Sequence, residues 1–243
     1  TIYGAGVNLE LAGDEDVLEI QLPYADQPLE IYGIYNLPGS DASPKVSLYD
    51  DNATLIAEKE DVGPNGGINY LFAKKATYTA VATDSDGSGG ANHWFVLYIR
   101  TRAEDSTRNQ REMEPNNIQE DATQVVQTDD TDTTPNRLKG YIRGELVEDG
   151  DEDWYRLEAY EGGTLNLYCG SESYGAFGDL AIDVHGPDGA LIKTITEGDD
   201  STPDIEDLGP LTAGTHYLRF YSEDGVYGLG VFYRCGLFMY KAE

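Results

Sequence analysis

The chain is poor in cations and cysteine and has no long apolar run. Lys and Arg together number 16 against 45 Asp and Glu, a formal net charge of -29. A field of that sign repels phosphate backbones and anionic lipid surfaces, which excludes nucleic acid as a partner. No apolar stretch approaches the roughly 20 residues that span a bilayer, so no membrane insertion is expected. No basic stretch leads into an apolar leader, and Thr1 is read as the start of a mature chain or of an excised piece. Catalytic signatures are missing as well. The sequence has no Gly-x-Ser-x-Gly elbow, no His-Glu-x-x-His and no Gly-x-x-x-x-Gly-Lys phosphate loop. Its three histidines, His93, His185 and His216, have no companion at metal-ligand spacing and read as ordinary strand residues. Two distant cysteines do not make a zinc site, and the carboxylates are too many for one pair to stand out as a glycosidase dyad. The expectation is a protein that is not an enzyme.

What the sequence does have is an internal repeat. Gly13-Asp14-Glu15-Asp16 returns 137 positions later as Gly150-Asp151-Glu152-Asp153, each time leading into an alternating apolar pattern. Lys45-Val46-Ser47-Leu48-Tyr49 with Leu55-Ile56 matches Ala181-Ile182-Asp183-Val184-His185 with Leu191-Ile192 at an offset of 136. Thr77-Tyr78-Thr79-Ala80-Val81 matches His216-Tyr217-Leu218-Arg219-Phe220 at 139. A nearly constant offset over three blocks means tandem duplication of one domain. Many short runs with period-2 alternation, rich in Tyr, Val, Ile and Leu and separated by Gly, Pro and Asp turns, predict an all-β fold. The fold class expected is two tandem antiparallel β-sandwiches, jelly-roll-like. The boundaries expected are a first sandwich over 1–101, a polar, arginine-bearing linker over 102–111 and a second sandwich over 112–243. One short helix is predicted near 117–126. The loop around 128–135 carries Asp129, Asp130 and Asp132 and reads as mobile. Asp84-Ser85-Asp86-Gly87-Ser88-Gly89-Gly90 looks like half of a calcium loop, but position twelve is Phe95, so a hairpin connection is expected there.

The two cysteines, Cys169 and Cys235, fall on alternating patterns, Leu165-x-Leu167-x-Cys169 and Leu229-x-Val231-x-Tyr233-x-Cys235. Both point to the apolar face. They are either a disulfide of an exported protein or two buried free thiols that pack as small hydrophobes.

Glu112-Met113-Glu114-Pro115-Asn116-Asn117 opens a longer signature. It continues with Gly150–Tyr155, Gly162-Gly163-Thr164-Leu165, Gly178-Asp179-Leu180-x-Ile182, Pro187-Asp188-Gly189 and Leu211-Thr212-Ala213-Gly214-Thr215-x-Tyr217-x-Arg219. In order and spacing this resembles the bacterial pre-peptidase C-terminal domain, and more distantly the collagen-binding domains of clostridial collagenases. The likeness covers 112–238. The first repeat resembles a divergent copy that lacks the Glu-Pro-Asn-Asn segment. The resemblance implies a non-catalytic, secreted or cell-surface (extracytoplasmic) accessory module, associated with an exported peptidase or binding an extracellular protein or polysaccharide. The alternatives are a structural or adhesion-type surface protein and a stand-alone polysaccharide-binding protein.

The resemblance also implies calcium where the acidic segment folds onto the second sandwich. The residue types suit it, since calcium takes six to eight oxygen ligands from carboxylates, amides and carbonyls. Glu112, Glu114, Asn116 and Asn117 would clamp the ion against Asp151 and Asp153, whose i, i+2 spacing shares one strand face. Asn117 stands where calcium-binding relatives tend to have Asp, which removes a charge and weakens any second ion. The alternative is that these residues only form turns and surface charge. Asp14 and Asp16 lack a partner segment, and no calcium is expected there. Tyr217, Arg219 and Tyr221 share the outer face of one strand, with Leu218 and Phe220 turned to the core. That face is the candidate ligand surface, against the plainer reading of sheet-surface tyrosines.

Overall fold

In the computed structural model, residues 2–22, 28–34, 38–63, 66–70, 72–101, 110–130, 136–196 and 203–242 are described. Contacts divide the chain into two units, 1–104 with 173–177, and 105–172 with 178–243. Most of the expected linker, 102–109, lies outside the described residues.

The first unit contains β1 (Ile2–Asn8), β2 (Asp16–Gln21), β3 (Leu29–Ile34), β4 (Pro44–Tyr49), β5 (Leu55–Lys59), β6 (Gly67–Tyr70), β7 (Thr77–Asp84) and β8 (Trp94–Thr101). They make two four-stranded antiparallel sheets, in the orders β1-β8-β3-β6 and β2-β7-β4-β5. The alternation of each strand decides its inner face. Along β7, Tyr78, Ala80 and Ala82 are buried, and along β8 Phe95, Leu97 and Ile99 are. Burying one such Phe or Leu stabilises by about 1.5–3 kcal/mol, which makes a one-residue slip of either strand prohibitive.

The second unit contains β9 (Gln110–Arg111), β10 (Thr123–Gln124), β11 (Thr128–Asp129), β12 (Arg137–Glu145), β13 (Glu152–Ala159), β14 (Thr164–Gly170), β15 (Leu180–His185), β16 (Leu191–Thr196), β17 (Asp204–Leu208), β18 (Gly214–Ser222) and β19 (Phe232–Tyr240). One sheet runs β10-β13-β18-β15-β16, and the other β11-β12-β19-β14-β17 with β9 also on β12. Its core includes Tyr155, Leu167, Ile182, Leu218, Phe220, Phe232, Tyr233 and Leu237. The all-β, two-sandwich architecture expected from the sequence is what the chain forms.

The duplication is visible in the pairing. The orders β2-β7-β4-β5 and β13-β18-β15-β16 correspond strand for strand, as do β1-β8-β3-β6 and β12-β19-β14-β17. Even the bulge recurs, at Tyr49 opposite Leu55 and at His185 opposite Leu191. The register corrects one block of the sequence alignment. Val46 pairs Ala82 while Ile182 pairs Phe220, so β7 and β18 are offset by 138, not 139. Tyr78 therefore corresponds to His216, both core-facing, and not to Tyr217.

Other expectations change in detail. The segment predicted as a helix is a 3-10 turn at Gln119–Asp121 followed by β10, which pairs parallel with β13. Ala122 and Val125 are buried while Ile118 and Val126 are exposed, so no helical stripe reaches a core; the free edge of β13 offers backbone partners instead. Gln110–Arg111 belong to the second sheet rather than to a linker, with Ile142 opposite Gln110. The loop after β11 is anchored at Asp130, which is buried and ion-paired to Arg137 and Lys139; 131–135 lie outside the described residues. The connection carrying Asp84 and Asp86 is not a hairpin, because β7 and β8 lie in different sheets. The last strand begins at Phe232, so Leu229 and Val231 precede it.

Candidate metal centre

Residues 110–129 strap the open side of the second sandwich. β9 lies on β12, β10 on β13 and β11 on β12 again, so the strap alternates between the two sheets. Between β9 and β10 it is held by main-chain bonds, Glu112 N to Arg143 O at 3.1 Å and Trp154 N to Asn116 O at 3.0 Å. A hydroxyl helps: Met113 N donates to Thr123 Oγ1 at 3.1 Å. This brings Glu112, Glu114, Asn116 and Asn117 to the start of β13, where Asp151 and Asp153 lie.

Glu114, Asp151 and Asp153 each turn a carboxylate oxygen inward, all within 4.8 Å of one another, and this cluster could hold a metal ion. Asp153 and Asn116 are fully buried and Asp151 nearly so, whereas Glu114 is exposed. Both asparagine side chains face the cluster, and either end of each amide fits inward. With nitrogen inward, Asn116 donates to Glu114 Oε2 at 2.9 Å and Asp153 Oδ1 at 3.3 Å, and Asn117 to Asp151 Oδ1 at 3.1 Å. The two orientations suit two states of the site. Nitrogen inward satisfies the carboxylates without a cation, and oxygen inward completes an all-oxygen shell around one. The donor set, carboxylate and amide oxygen with no nitrogen or sulfur, fits a hard divalent cation.

Glu112 borders this cluster, beside Asp153. Its carboxyl accepts the Glu145 amide, at 3.0 Å on Oε2 and 3.2 Å on Oε1. Burial, and then the neighbouring Asp153 carboxylate, push Glu112 up to about 11. Burial also raises Asp153, to about 7, against a hydrogen bond from Tyr233 that lowers it. Two carboxyls this close and this dry cannot both ionise unaided, and Glu112 is the one that keeps the proton. Glu114 is raised as well, by burial first.

Sequence reasoning missed the phenols. Tyr233 donates to Asp153 Oδ2 at 2.6 Å, and its hydroxyl lies 3.0 Å from that of Tyr155, which donates to Arg143 O at 3.2 Å. It also missed Gly144, where any Cβ would collide with the Tyr233 hydroxyl and the Glu112 carboxylate. The alternation on β19 signals an inward Tyr233; nothing local signals Gly144.

The repeated Gly-Asp-Glu-Asp device turns out to close a turn. Asp151 Oδ2 accepts Val147 N at 2.8 Å, and Asp14 Oδ2 accepts Glu10 N at 2.8 Å. Gly150 and Gly13 take φ of +80° and +75°, a conformation that favours glycine. The recurrence thus marks a shared turn, and the metal-type cluster arises only where the strap adds Glu114, Asn116 and Asn117.

Cys169 and Cys235 are disulfide-bonded, as register partners on β14 and β19. On β18, Tyr217, Arg219 and Tyr221 face outward and are partly exposed. Arg219 is already engaged, with Nε donating to Glu152 Oε2 at 2.8 Å and Nη1 to Asp183 Oδ2 at 3.2 Å. Its guanidinium lies 4.5 Å from the Tyr221 ring centre. Trp154, which the sequence did not place on this face, packs at a tilt against His185 with ring centres 5.1 Å apart.

No protein-family model matches the chain, and no curated protein does. Among solved structures the chain is similar to the CUB1-EGF-CUB2 domains of rat MASP-1, at 10% identity over 96% of each chain with a TM-score of 0.27. It is also similar to the CBM22-1-CBM22-2 tandem domain from Paenibacillus barcinonensis Xyn10C, at 9% identity over 98% of this chain and 90% of that one, TM-score 0.26. At these scores the fold assignment rests on the sheet topology itself. No helix among the described residues is long and apolar enough to cross a membrane.

Proposed function

We propose that the protein is a non-catalytic, calcium-stabilised binding module of two sandwiches, working outside the cytoplasm and related to the pre-peptidase C-terminal domains. The observation that carries the calcium reading is the convergence of Glu114, Asp151 and Asp153, whose carboxylate oxygens lie within 4.8 Å of one another with Asp153 fully buried. Without a cation that arrangement crowds carboxylates in a largely dry place. Calcium bound by Glu114, Asp151 and Asp153 with the two amide oxygens would neutralise it and fasten the strap to β13. Glu112 assists as a neighbouring acid that caps the Glu145 amide. Calorimetric titration of the full chain with calcium in a chelator-treated, high-salt buffer tests this. One saturable site is expected, with magnesium a poor substitute because it demands a smaller octahedral shell. The absence of saturable heat, or an unchanged isotherm in Asp153→Asn with Glu114→Gln, would remove calcium from the account. The disulfide supports an oxidising location.

The outer face of β18 supports the binding half of the reading. Arg219 clamped between Glu152 and Asp183 and laid on Tyr221 holds an aromatic-polar surface in one geometry, with Trp154 alongside. Such a surface suits an extracellular polysaccharide or protein. Pull-down on insoluble polysaccharides and collagens, comparing the wild type with Trp154→Ala and Tyr217→Ala, tests it. Retention that the substitutions do not alter would place binding elsewhere.

A further inference from the structure

The first unit contains a cavity of about 370 Å³, at the lower end of the roughly 300–1,000 Å³ range of small-molecule sites. Its floor is the outer face of β3, β6 and β8. Ile31, Ile68 and Ile99 are buried, so Glu30 and Tyr32, Asn69 and Arg100 turn outward and line the cavity. Two rungs cross this floor. Glu30 has Asn69 on one side and Arg100 on the other as register partners, and Tyr32 pairs Tyr98 on the next rung. One wall is Ser173 and Tyr174, at the end of a 3-10 turn, and residues 173–177 belong to this unit. The backbone holds that wall. Glu58 N donates to Gly175 O at 3.0 Å, and Gly175, at φ +84°, lies so close to Ile68 that a Cβ there would be 3.2 Å from its Cγ1.

Arg100 Nε and Nη2 both bond Glu30 Oε2, and the guanidinium lies 5.6 Å from the Tyr32 ring centre. Tyr32 stacks in turn on Tyr98, with ring centres 5.4 Å apart. The arginine is thereby fixed, with Nη1 left to donate elsewhere. Asn69 Oδ1 is shut in, which leaves its amide nitrogen as the end open to a ligand. The Tyr174 side chain makes no hydrogen bond or ring contact among the described residues. Charge decides the ligand class. Glu30 is taken by Arg100, which disfavours a cation, and a net charge of -29 repels anions. What suits the cavity is a neutral ligand with hydroxyls for the polar rung and an apolar face for a tyrosine ring. A hexopyranose has both, with hydroxyls round its rim and C–H groups on its ring faces.

We propose that this cavity binds a neutral hexopyranose, with a C–H face of the sugar on Tyr174 and its hydroxyls accepting from Arg100 and Asn69. The second sandwich repeats the floor without the site. By the offsets that the pairing fixes, Tyr168 stands at the Tyr32 position, Asn166 at Glu30 and Phe238 at Arg100. There Phe238 packs against both Tyr141 and Tyr168, with ring centres 6.1 and 5.9 Å away, and the Glu–Arg pair is gone. The sugar site therefore belongs to the first sandwich. It depends neither on calcium nor on the outer face of β18.

The test titrates the full chain, in chelator, with the methyl glycosides of glucose, galactose and mannose. Binding is read from the NMR signal of the Asn69 side-chain amide, assigned by its loss in Asn69→Ala. A saturable shift with at least one glycoside at about millimolar concentration is expected, the affinity that a ligand of this size reaches. The uronide of the sugar that binds should bind more weakly. Tighter binding of its disaccharide assigns the site to a chain; equal binding assigns it to a single sugar unit. Tyr174→Ala removes the stacking ring, keeps the Asn69 reporter and should abolish the shift. Arg100→Lys keeps a charge beside Glu30, loses the fork and should weaken binding. No shift with any of the three glycosides, a uronide that binds as well, or binding that survives both substitutions would overturn the proposal.

Discussion

The two sandwiches share strand order, bulge and turn, yet one contains a buried acidic centre and the other does not. The same backbone amide shows why. In the first unit Asn8 N is taken by Asp16 Oδ2 at 2.9 Å; in the second the equivalent Glu145 N is taken by Glu112, and Asp153 turns to Tyr233 instead. Three neighbours differ with it. Gly144, Tyr155 and Tyr233 stand where the first unit has Val7, Leu18 and Phe95, by the offsets that the pairing fixes. The Val7 side chain, buried at 2% exposure, occupies the place that Gly144 leaves for Glu112. A strap can dock in the second unit because three side chains make room and supply hydroxyls, not because its strands differ. The disulfide follows the same logic. Cys169 and Cys235 sit where the first unit has Gly33 and Leu97, and a Cβ at Gly33 would collide with the Val62 carbonyl.

Four substitutions or conditions should widen or erase that contrast. Replacing both cysteines with alanine should cost the second unit most, about 4 kcal/mol from the loop-entropy relation for a 66-residue separation. Denaturant melts should show a lowered transition for that unit and an unmoved one for the first. Gly144→Val, which imports the first unit's residue, should cost about 3 kcal/mol through overpacking and expel Glu112. Limited proteolysis should then cut in the strap. Tyr233→Phe, again copying the first unit, should cost about 2 kcal/mol, because Asp153 loses its hydroxyl donor in a dry site; thermal melting reads this.

The fourth contrast is in pH dependence. With a chelator present, burial holds the Asp153 and Glu112 protons in the folded state above their usual titration range, to about 7 and about 11. Between the usual carboxylate range and those values the folded state binds more protons than the unfolded one, so stability falls as pH rises. The second unit should therefore melt a few degrees lower at pH 8 than at pH 5.5. Calcium, which competes with the protons, should reduce or reverse that trend, and a flat profile without calcium would mean that the pair is not coupled as described.

Alternation made most strands legible, and the repeat made the two-sandwich plan legible. The failures have physical causes. Matching Tyr78 to Tyr217 by identity slipped β7 by one residue, since the Thr-Tyr-Thr-Ala pattern does not declare which face is core until its partner strand does. Ile118, Ala122 and Val125 suggest a helical stripe, but the unpaired edge of β13 claims that segment. The acidic residues of the centre were legible as a set. Their roles were not, because the place of Glu112 beside Asp153 depends on a missing Cβ at Gly144, a property of the fold and not of any local motif.

The central claim is that a cation fastens the strap of the second sandwich and leaves the first untouched. Hydrogen exchange read peptide by peptide on the full chain, in chelator and in calcium at equal high ionic strength, tests it most directly. Peptides covering Glu112, Asn116 and Trp154 should gain protection in calcium, while those covering Asn8, Glu10 and Asp16 stay as they were. Equal gains in both units, or no gain at the strap, would contradict it.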